Sequence, residues 1–154
     1  MAIHHKIIGA ALRPIWRMRR GLTLGAQGCV VDAGGRVLLV KHGYRPGWHF
    51  PGGGVEWGEE IAAAMARELA EETGVKVTGP PELHGIFANF EKFPGDHIAF
   101  FVVRSWTRPV VPKVNAEIVA SGFYAADALP QDTADGARRR LAEVFNGVSK
   151  VGAW

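Results

Sequence analysis

The hydrophobic positions of the first half form two short apolar runs followed by a helical pattern. Residues 22–32 and 36–41 are predicted strands, and the Ala-Gly-Gly sequence at 33–35 predicts a turn between them. We therefore expect a β-hairpin. After a short extended stretch and three glycines, the alanine-rich residues 59–73 predict a helix that ends at Gly74.

The second half repeats this order of strands and helix. The apolar run at 100–103 is typical of a strand that is buried on both faces. Strands, helix, strands and helix in this order predict the α/β class, with a mixed β-sheet between helices. The elements predicted after the first helix are strands at 75–77, 83–89, 97–106 and 123–124 and a helix at 133–145.

The composition predicts one globular domain over 1–154, with a basic segment at 1–21, a core at about 22–130 and a C-terminal helix at about 133–146. The single cysteine, Cys29, excludes an internal disulfide, and its apolar neighbours predict a buried thiol. A lone cysteine favours a reducing, cytoplasmic location. No apolar run reaches the roughly 20 residues that a membrane span needs.

Charge is uneven along the chain, although the formal net charge is only +3. The first twenty residues contain five basic residues and no acid, interleaved with apolar residues. Such a segment can lie on a membrane surface or bind a partner, including nucleic acid or a second copy in a homodimer. The alternative, which we favour, is a segment that packs on the domain with a solvated charged face.

Five glutamates fall within fourteen positions, at 59, 60, 68, 71 and 72. On a helical wheel Glu71 lies about 60° to one side of Glu68 and Glu72 about 40° to the other, so the three share one arc. Clustered carboxylates repel each other unless cations balance them. Either the arc binds metal or it is a solvated acidic face. The lack of lysine between Glu59 and Val75 favours metal.

Magnesium is the expected ion, because it prefers carboxylate oxygens and binds together with substrate phosphates. The glycines before the helix, Gly52 to Gly54, permit close backbone approach. A backbone carbonyl there is a candidate metal ligand, and a plain strand-to-helix turn is the alternative. Arg67 is placed to orient a carboxylate by pairing with Glu71 or Glu59.

These residues resemble the Nudix box of the Nudix hydrolase family, including its MutT-like members. The resemblance rests on the pattern Gly53-x5-Glu59-x7-Arg67-Glu68-Leu69-x-Glu71-Glu72-x-Gly74-Val75. It implies an α/β/α sandwich with a mixed β-sheet. It also implies a hydrolase of phosphoric anhydride bonds that depends on Mg²⁺, with Mn²⁺ as an alternative. The expected reaction is attack of metal-activated water on phosphorus in a nucleoside diphosphate linked to another moiety.

The resemblance also implies a role for each matching residue. The implied structural residues of the box are Gly53, Glu59 and Gly74. The implied metal ligands are Gly52, through its carbonyl, Glu68, Glu71 and Glu72. The implied catalytic residues are Glu68, Glu71, Arg67 and Glu117. The general base is either a box glutamate or Glu117 in a distal loop. Many MutT-like members have a second acid three residues later, where this chain has Ala120.

The substrate is not specified by any downstream motif. Candidate substrate-binding residues are Arg45, Trp48, Phe90 and His97, as contacts to base or sugar, with an aromatic ring among them stacking on the base. His42 and His49 are interpreted as structural histidines. The alternative functions are removal of pyrophosphate from RNA 5′ ends, which only the basic N-terminal segment favours, and non-catalytic nucleotide sensing, which the intact glutamates disfavour.

Overall fold

The computed structural model of the protein describes residues 21–154, so the predicted basic N-terminal segment lies almost entirely outside it. No helix within these residues is long and apolar enough to cross a membrane. The strands and helices, numbered along the chain, are β1 (Thr23–Val30), β2 (Val37–His42), β3 (Trp48–His49), β4 (Gly52–Gly54), α1 (Ile61–Thr73), β5 (Lys76–Val77), β6 (Glu82–Ala88), β7 (Asp96–Val103), β8 (Trp106–Thr107), β9 (Ile118–Tyr124) and α2 (Asp135–Asn146).

The strands form a mixed four-stranded sheet, a three-stranded sheet and a two-stranded ribbon. The four-stranded sheet has the order β4-β1-β7-β6, in which β1 and β7 are parallel and the other pairs antiparallel. The three-stranded sheet has the order β3-β2-β9 and is antiparallel. The ribbon pairs β5 with β8. The predicted mixed sheet is therefore confirmed.

The predicted hairpin of the first two strands is wrong. β1 and β2 belong to different sheets, and a single bridge between Val31 and Val37 joins their ends. β1 pairs with β4 along one edge and with β7 along the other, so both of its edges are occupied. The predicted turn itself is present, because the Asp32 carboxylate accepts the backbone N–H groups of Gly34 and Arg36.

Two further boundaries differ from the prediction. The strand expected at 97–106 ends at Val103, and Trp106 starts a separate strand that pairs with β5. The short strand expected at 123–124 begins at Ile118, because residues 118–124 pair with β2 along its length. Both helices begin two residues later than predicted.

Two apolar clusters lie on opposite faces of the four-stranded sheet. The cluster under α1 includes Ala26, Val30, Met65, Leu69 and Ala99. The cluster under α2 includes Cys29, Val31, Phe50, Phe100 and Leu141. Cys29 is buried as predicted, and burial raises the pKa of its thiol to about 12. Helices therefore cover both faces, and the predicted α/β/α sandwich is confirmed.

Glycines at two positions set where α1 lies. A Cβ at Gly28 would come within 3.0 Å of Met65 Sδ and 3.1 Å of Leu69 Cδ1, so the helix packs directly on the strand backbone. Gly74 ends the helix as predicted, in the left-handed conformation with φ 74°. A Cβ at Gly74 would collide with the Val110 carbonyl, which keeps this position open to glycine alone.

A buried ion cluster joins α2 to β6 on the far side of the sheet. Arg140 Nη2 lies 2.7 Å from Glu143 Oε1, and Glu143 Oε2 lies 2.8 Å from His84 Nε2. The Arg140 guanidinium also lies 3.7 Å from the centroid of the Phe87 ring. The indole of Trp154 packs over Phe87, with ring centroids 6.1 Å apart. The C-terminal residue therefore helps to enclose this cluster.

Candidate active site

The glycines of β4 lie directly against two glutamates of α1. The backbone N–H of Gly52 donates to Glu72 Oε2 at 2.9 Å. Gly52 has φ 146°, and a Cβ there would collide with the Ala26 carbonyl. A Cβ at Gly53 would lie 2.5 Å from Glu68 Oε1. The lack of a side chain therefore lets Gly52 pack against β1 and lets Gly53 lie against the Glu68 carboxylate.

Arg67 forms hydrogen bonds to three other carboxylates of the box. Its Nε and Nη2 donate to the two oxygens of Glu59 at 2.9 and 3.1 Å. Its Nη1 donates to Glu68 Oε1 at 2.7 Å and to Glu71 Oε2 at 3.3 Å, and Nη2 also donates to the Gly54 carbonyl at 3.2 Å. Both pairings expected from the sequence, with Glu59 and with Glu71, are present. These bonds raise the pKa of Arg67 above its ordinary value.

Glu72 is the buried acid of the site, with 8% of its surface exposed. Burial, together with the charges of Glu68 and Glu117, raises the pKa of Glu72 to about 7. The Gly52 N–H and the charge of Arg45 act in the opposite direction without cancelling that rise. Burial and the neighbouring carboxylates therefore disfavour the charged form of Glu72, an effect that a bound cation would oppose.

The distal residue Glu117 is held beside the box by a turn. Asn115 Oδ1 accepts the backbone N–H groups of Glu117 and Ile118, both at 2.8 Å. The Glu117 carbonyl accepts the Gly43 N–H at 2.9 Å, which ties the turn to the end of β2. The Glu117 side chain is exposed, and its charge acts on Glu72. Residues 45 positions apart thus meet at one site.

His42 is the residue whose place at the site the sequence did not predict. Its side chain is fully enclosed, and Nδ1 lies 3.8 Å from Glu72 Oε1. Tyr44 and His49 flank its ring, with centroids 5.0 and 6.1 Å away. Burial and the charges of Arg45 and His49 lower the pKa of His42 to about 4, so the ring is neutral. The one sequence feature that pointed to this residue is its position, as a histidine at the end of an apolar strand.

The four predicted substrate-binding residues lie in different surroundings. Arg45 is half-buried beside the box, and its Nε has no hydrogen-bond partner among residues 21–154. Trp48 packs against the core on the α2 side. Phe90 is exposed and contacts His97 edge to face, with ring centroids 5.4 Å apart. Arg45 is therefore the one whose charge reaches the box, since it acts on Glu72.

The donor set fits a hard divalent cation. Glu68 and Glu72 supply carboxylate oxygens, and Gly53 leaves a cradle against Glu68 that a Cβ would fill. Within residues 21–154, no group of three His, Cys, Asp or Glu side chains stands ready to hold a metal ion. Arg67 contacts both Glu68 and Glu71, so these two carboxylates share one guanidinium partner.

Comparison with known proteins identifies the family. The pattern of the NUDIX domain matches residues 21–145. The uncharacterized Nudix hydrolase YvcI of Bacillus subtilis (strain 168) is 40% identical over 70 residues, which are 46% of this chain and 43% of YvcI. An 8-oxo-dGTP diphosphatase of Proteus vulgaris is 32% identical over 94 residues, which are 57% of this chain and 81% of that protein.

Among solved structures, the crystal structure of a MutT Nudix hydrolase from Burkholderia pseudomallei matches with a TM-score of 0.69 and 26% identity. The match covers 80% of this chain and 98% of that one. The NUDIX domain, together with relatives named as diphosphatases, identifies a hydrolase of phosphoric anhydride bonds, of a class that generally uses a divalent metal ion. The chain belongs to the Nudix hydrolase family, with MutT-like relatives, and the family prediction is confirmed.

Proposed function

We propose that the protein is a Mg²⁺-dependent pyrophosphohydrolase that cleaves a nucleoside diphosphate linked to another moiety. The observation that supports this most strongly is the buried Glu72, which is bonded to Gly52 and surrounded by the charges of Glu68 and Glu117. Such a cluster favours a cation, and a cation bound there attracts the phosphates of a nucleotide.

Glu68, Glu71 and Glu72 are the proposed metal ligands, with the Gly52 carbonyl as a fourth. A divalent cation in this place supplies neutralisation of phosphate charge and polarisation of a phosphoryl oxygen. Mg²⁺ suits these hard oxygen donors, and Mn²⁺ is the alternative ion. Arg67 keeps Glu68 and Glu71 oriented, as its hydrogen bonds to both support.

Two groups are candidates for the base that takes the proton of the attacking water. Glu117 is exposed and lies within electrostatic reach of Glu72, which supports a role in which its carboxylate accepts that proton. A box glutamate is the alternative. Ala120 stands where many MutT-like members have a second acid, so Glu117 would act without it.

The substrate proposal starts from Arg45. Its charge acts on Glu72 beside the box, which suits an ionic contact to a phosphate of the substrate. Phe90, His97 and Trp48 are the proposed contacts to base or sugar. The Proteus vulgaris relative is named an 8-oxo-dGTP diphosphatase, which makes oxidised purine nucleoside triphosphates the first class to test.

The proposal is tested with purified protein and a panel of nucleotides in Mg²⁺ or in a chelator. The panel contains ordinary and oxidised nucleoside triphosphates, ADP-ribose, NADH, nucleotide sugars, dinucleoside polyphosphates and 5′-triphosphate RNA. Hydrolysis in ¹⁸O-labelled water should place the label on a phosphate-bearing product, since water attacks phosphorus. Cleavage that is equally fast in chelator, or label on a carbon, would contradict the proposal.

The panel also decides between the alternatives. Preferred cleavage of 5′-triphosphate RNA, weakening steeply with salt, would support an RNA 5′-end pyrophosphohydrolase. Tight nucleotide binding without turnover of any compound would support a nucleotide sensor. The cytoplasmic location and the homodimer stay predictions from the sequence. Gel filtration can test the homodimer.

A further inference from the structure

His42 is a buried polar side chain that makes no hydrogen bond within the described chain. Its residue is 3% exposed, and neither Nδ1 nor Nε2 has a partner. A buried polar group left unpaired destabilises a protein, so native structures contain few of them. His42 also lies at a register shift between β2 and β9, because Lys41 pairs with Ala120 whereas His42 pairs with Ile118. A merely structural aromatic side chain would fill this space without that penalty.

The hydrogen-bonding group that faces His42 is the free oxygen of Glu72. Glu72 Oε2 is fixed by the Gly52 N–H at 2.9 Å, whereas Oε1 lies 3.8 Å from His42 Nδ1. That distance is too long for a hydrogen bond, and a shift of about 1 Å would make one. The backbone therefore holds one oxygen of Glu72, and His42 stands beside the other.

A hydrogen-bond donor beside a ligating carboxylate fixes the orientation of that carboxylate without contacting the metal ion. His42 Nδ1 lies where it can act in this way on Glu72 Oε1. Arg67 pairs instead with Glu68.

We propose that His42 is a positioning residue, whose Nδ1–H donates to Glu72 Oε1 and fixes the orientation of that carboxylate when Glu72 serves as a metal ligand. The inference rests on the proposed metal-binding role of Glu72. It assigns His42 to the binding of the divalent cation, not to contact with substrate.

The test measures Mn²⁺ binding to the metal-free, full-length protein by the electron paramagnetic resonance signal of free Mn²⁺. His42→Phe fills the same space without nitrogens, and His42→Asn keeps an N–H donor near the position of Nδ1. Replacing a hydrogen-bond partner of a metal ligand generally weakens metal binding about 10–100-fold. We expect His42→Phe to weaken Mn²⁺ binding by that factor, and His42→Asn to retain most of the affinity. His49→Phe is the matched control, because His49 Nε2 contacts the Pro46 carbonyl, and its Mn²⁺ affinity should stay unchanged.

Thermal unfolding of the metal-free variants separates this role from a structural one. His42→Phe removes two unpaired buried nitrogens, so the metal-free protein should be as stable as the wild type or more stable. A His42→Phe protein that fails to fold, or that binds Mn²⁺ as tightly as the wild type, would overturn the inference. Equal weakening by His42→Asn and His42→Phe would also overturn it.

The Glu72→Gln variant distinguishes failure of this inference from failure of the proposed function. If His42 acts through Glu72, adding His42→Phe to Glu72→Gln should cause no further loss of Mn²⁺ affinity. Binding that Glu72→Gln weakens and His42→Phe does not would refute the role of His42 alone. Binding that Glu72→Gln leaves unchanged would remove the metal role of Glu72, and the inference with it.

Discussion

Arg67 contacts three glutamates of the site through one guanidinium group. Its planar fork bonds both oxygens of Glu59 while the remaining nitrogen reaches Glu68 and Glu71. A lysine ammonium is a point charge and cannot reproduce this geometry. Arg67 and its partners lie within thirteen residues of sequence, which is why helical spacing alone predicted the pairing with Glu71.

Glu72 should make the stability of the metal-free protein depend on pH. Its pKa in the folded protein is about 7, above the ordinary value of 4.5, so the folded state binds the proton more tightly than the unfolded state. Stability should therefore fall as pH rises from about 4.5 through 7. The His42 pKa is lowered, which makes stability fall instead as pH drops below 6.5.

Glu72→Gln isolates the contribution of Glu72, because the His42 contribution is common to both proteins. Between about pH 4 and pH 9 the wild type should lose about 3 kcal/mol of unfolding free energy relative to the variant. Urea unfolding of both metal-free proteins across this range measures the difference. Parallel pH profiles for the two proteins would show that Glu72 is not the buried, charge-crowded group described here.

At the scale of elements, the turn between β4 and α1 offers a matched pair of substitutions. A Cβ at Gly53 would lie 2.5 Å from the Glu68 carboxylate, whereas a Cβ at Gly54 would meet nothing within 4 Å. Gly53→Ala should therefore leave the fold intact, because a flexible side chain can move, and should lower hydrolysis by at least about 10-fold by displacing Glu68. Gly54→Ala should keep near wild-type activity. Equal rates for the two variants would contradict the close approach of loop and helix.

Helix α1 was predictable because its signals are local: an alanine-rich interior and a glycine in the left-handed conformation at its end. The pairing of β1 with β7 was not, since the two strands lie some seventy residues apart and their apolar runs do not specify partners. The hairpin prediction was wrong for the same reason. A turn sequence indicates that the chain reverses, but not that the two strands stay in one sheet.

At the scale of the whole molecule, the buried ion cluster should contribute to stability and not to catalysis. Removing Glu143 would leave Arg140 enclosed without its carboxylate partner. We expect Glu143→Ala to lower the free energy of unfolding by about 3–5 kcal/mol. Glu91→Ala, at an exposed position, should change it by less than about 0.5 kcal/mol. Urea unfolding with Mg²⁺ absent compares them, and similar stabilities would contradict the burial of this cluster.

The site as a whole was predictable only where it is local in sequence. The glutamates of α1 follow from helical spacing, and the loop before them follows from its glycines. Glu117, Arg45 and His42 meet Glu72 because β2 pairs with β9 beside the helix, a contact that depends on the tertiary fold. The resemblance to a known family indicated Glu117 as a candidate, whereas His42 was interpreted as a structural residue.

The most direct test of the account is the Mg²⁺ dependence of nucleotide hydrolysis in a matched pair of variants. Glu68→Gln removes a proposed ligand, and Glu60→Gln changes a neighbouring exposed glutamate whose side chain does not cap the helix. Replacing a residue that only supports a metal ligand generally lowers metal affinity or activity about 10–100-fold. Replacing a ligand itself should have a larger effect, so Glu68→Gln should lower Mg²⁺-dependent hydrolysis by more than about 100-fold. Glu60→Gln should match the wild type. Equal activity of Glu68→Gln and the wild type would contradict a hydrolase centred on these glutamates.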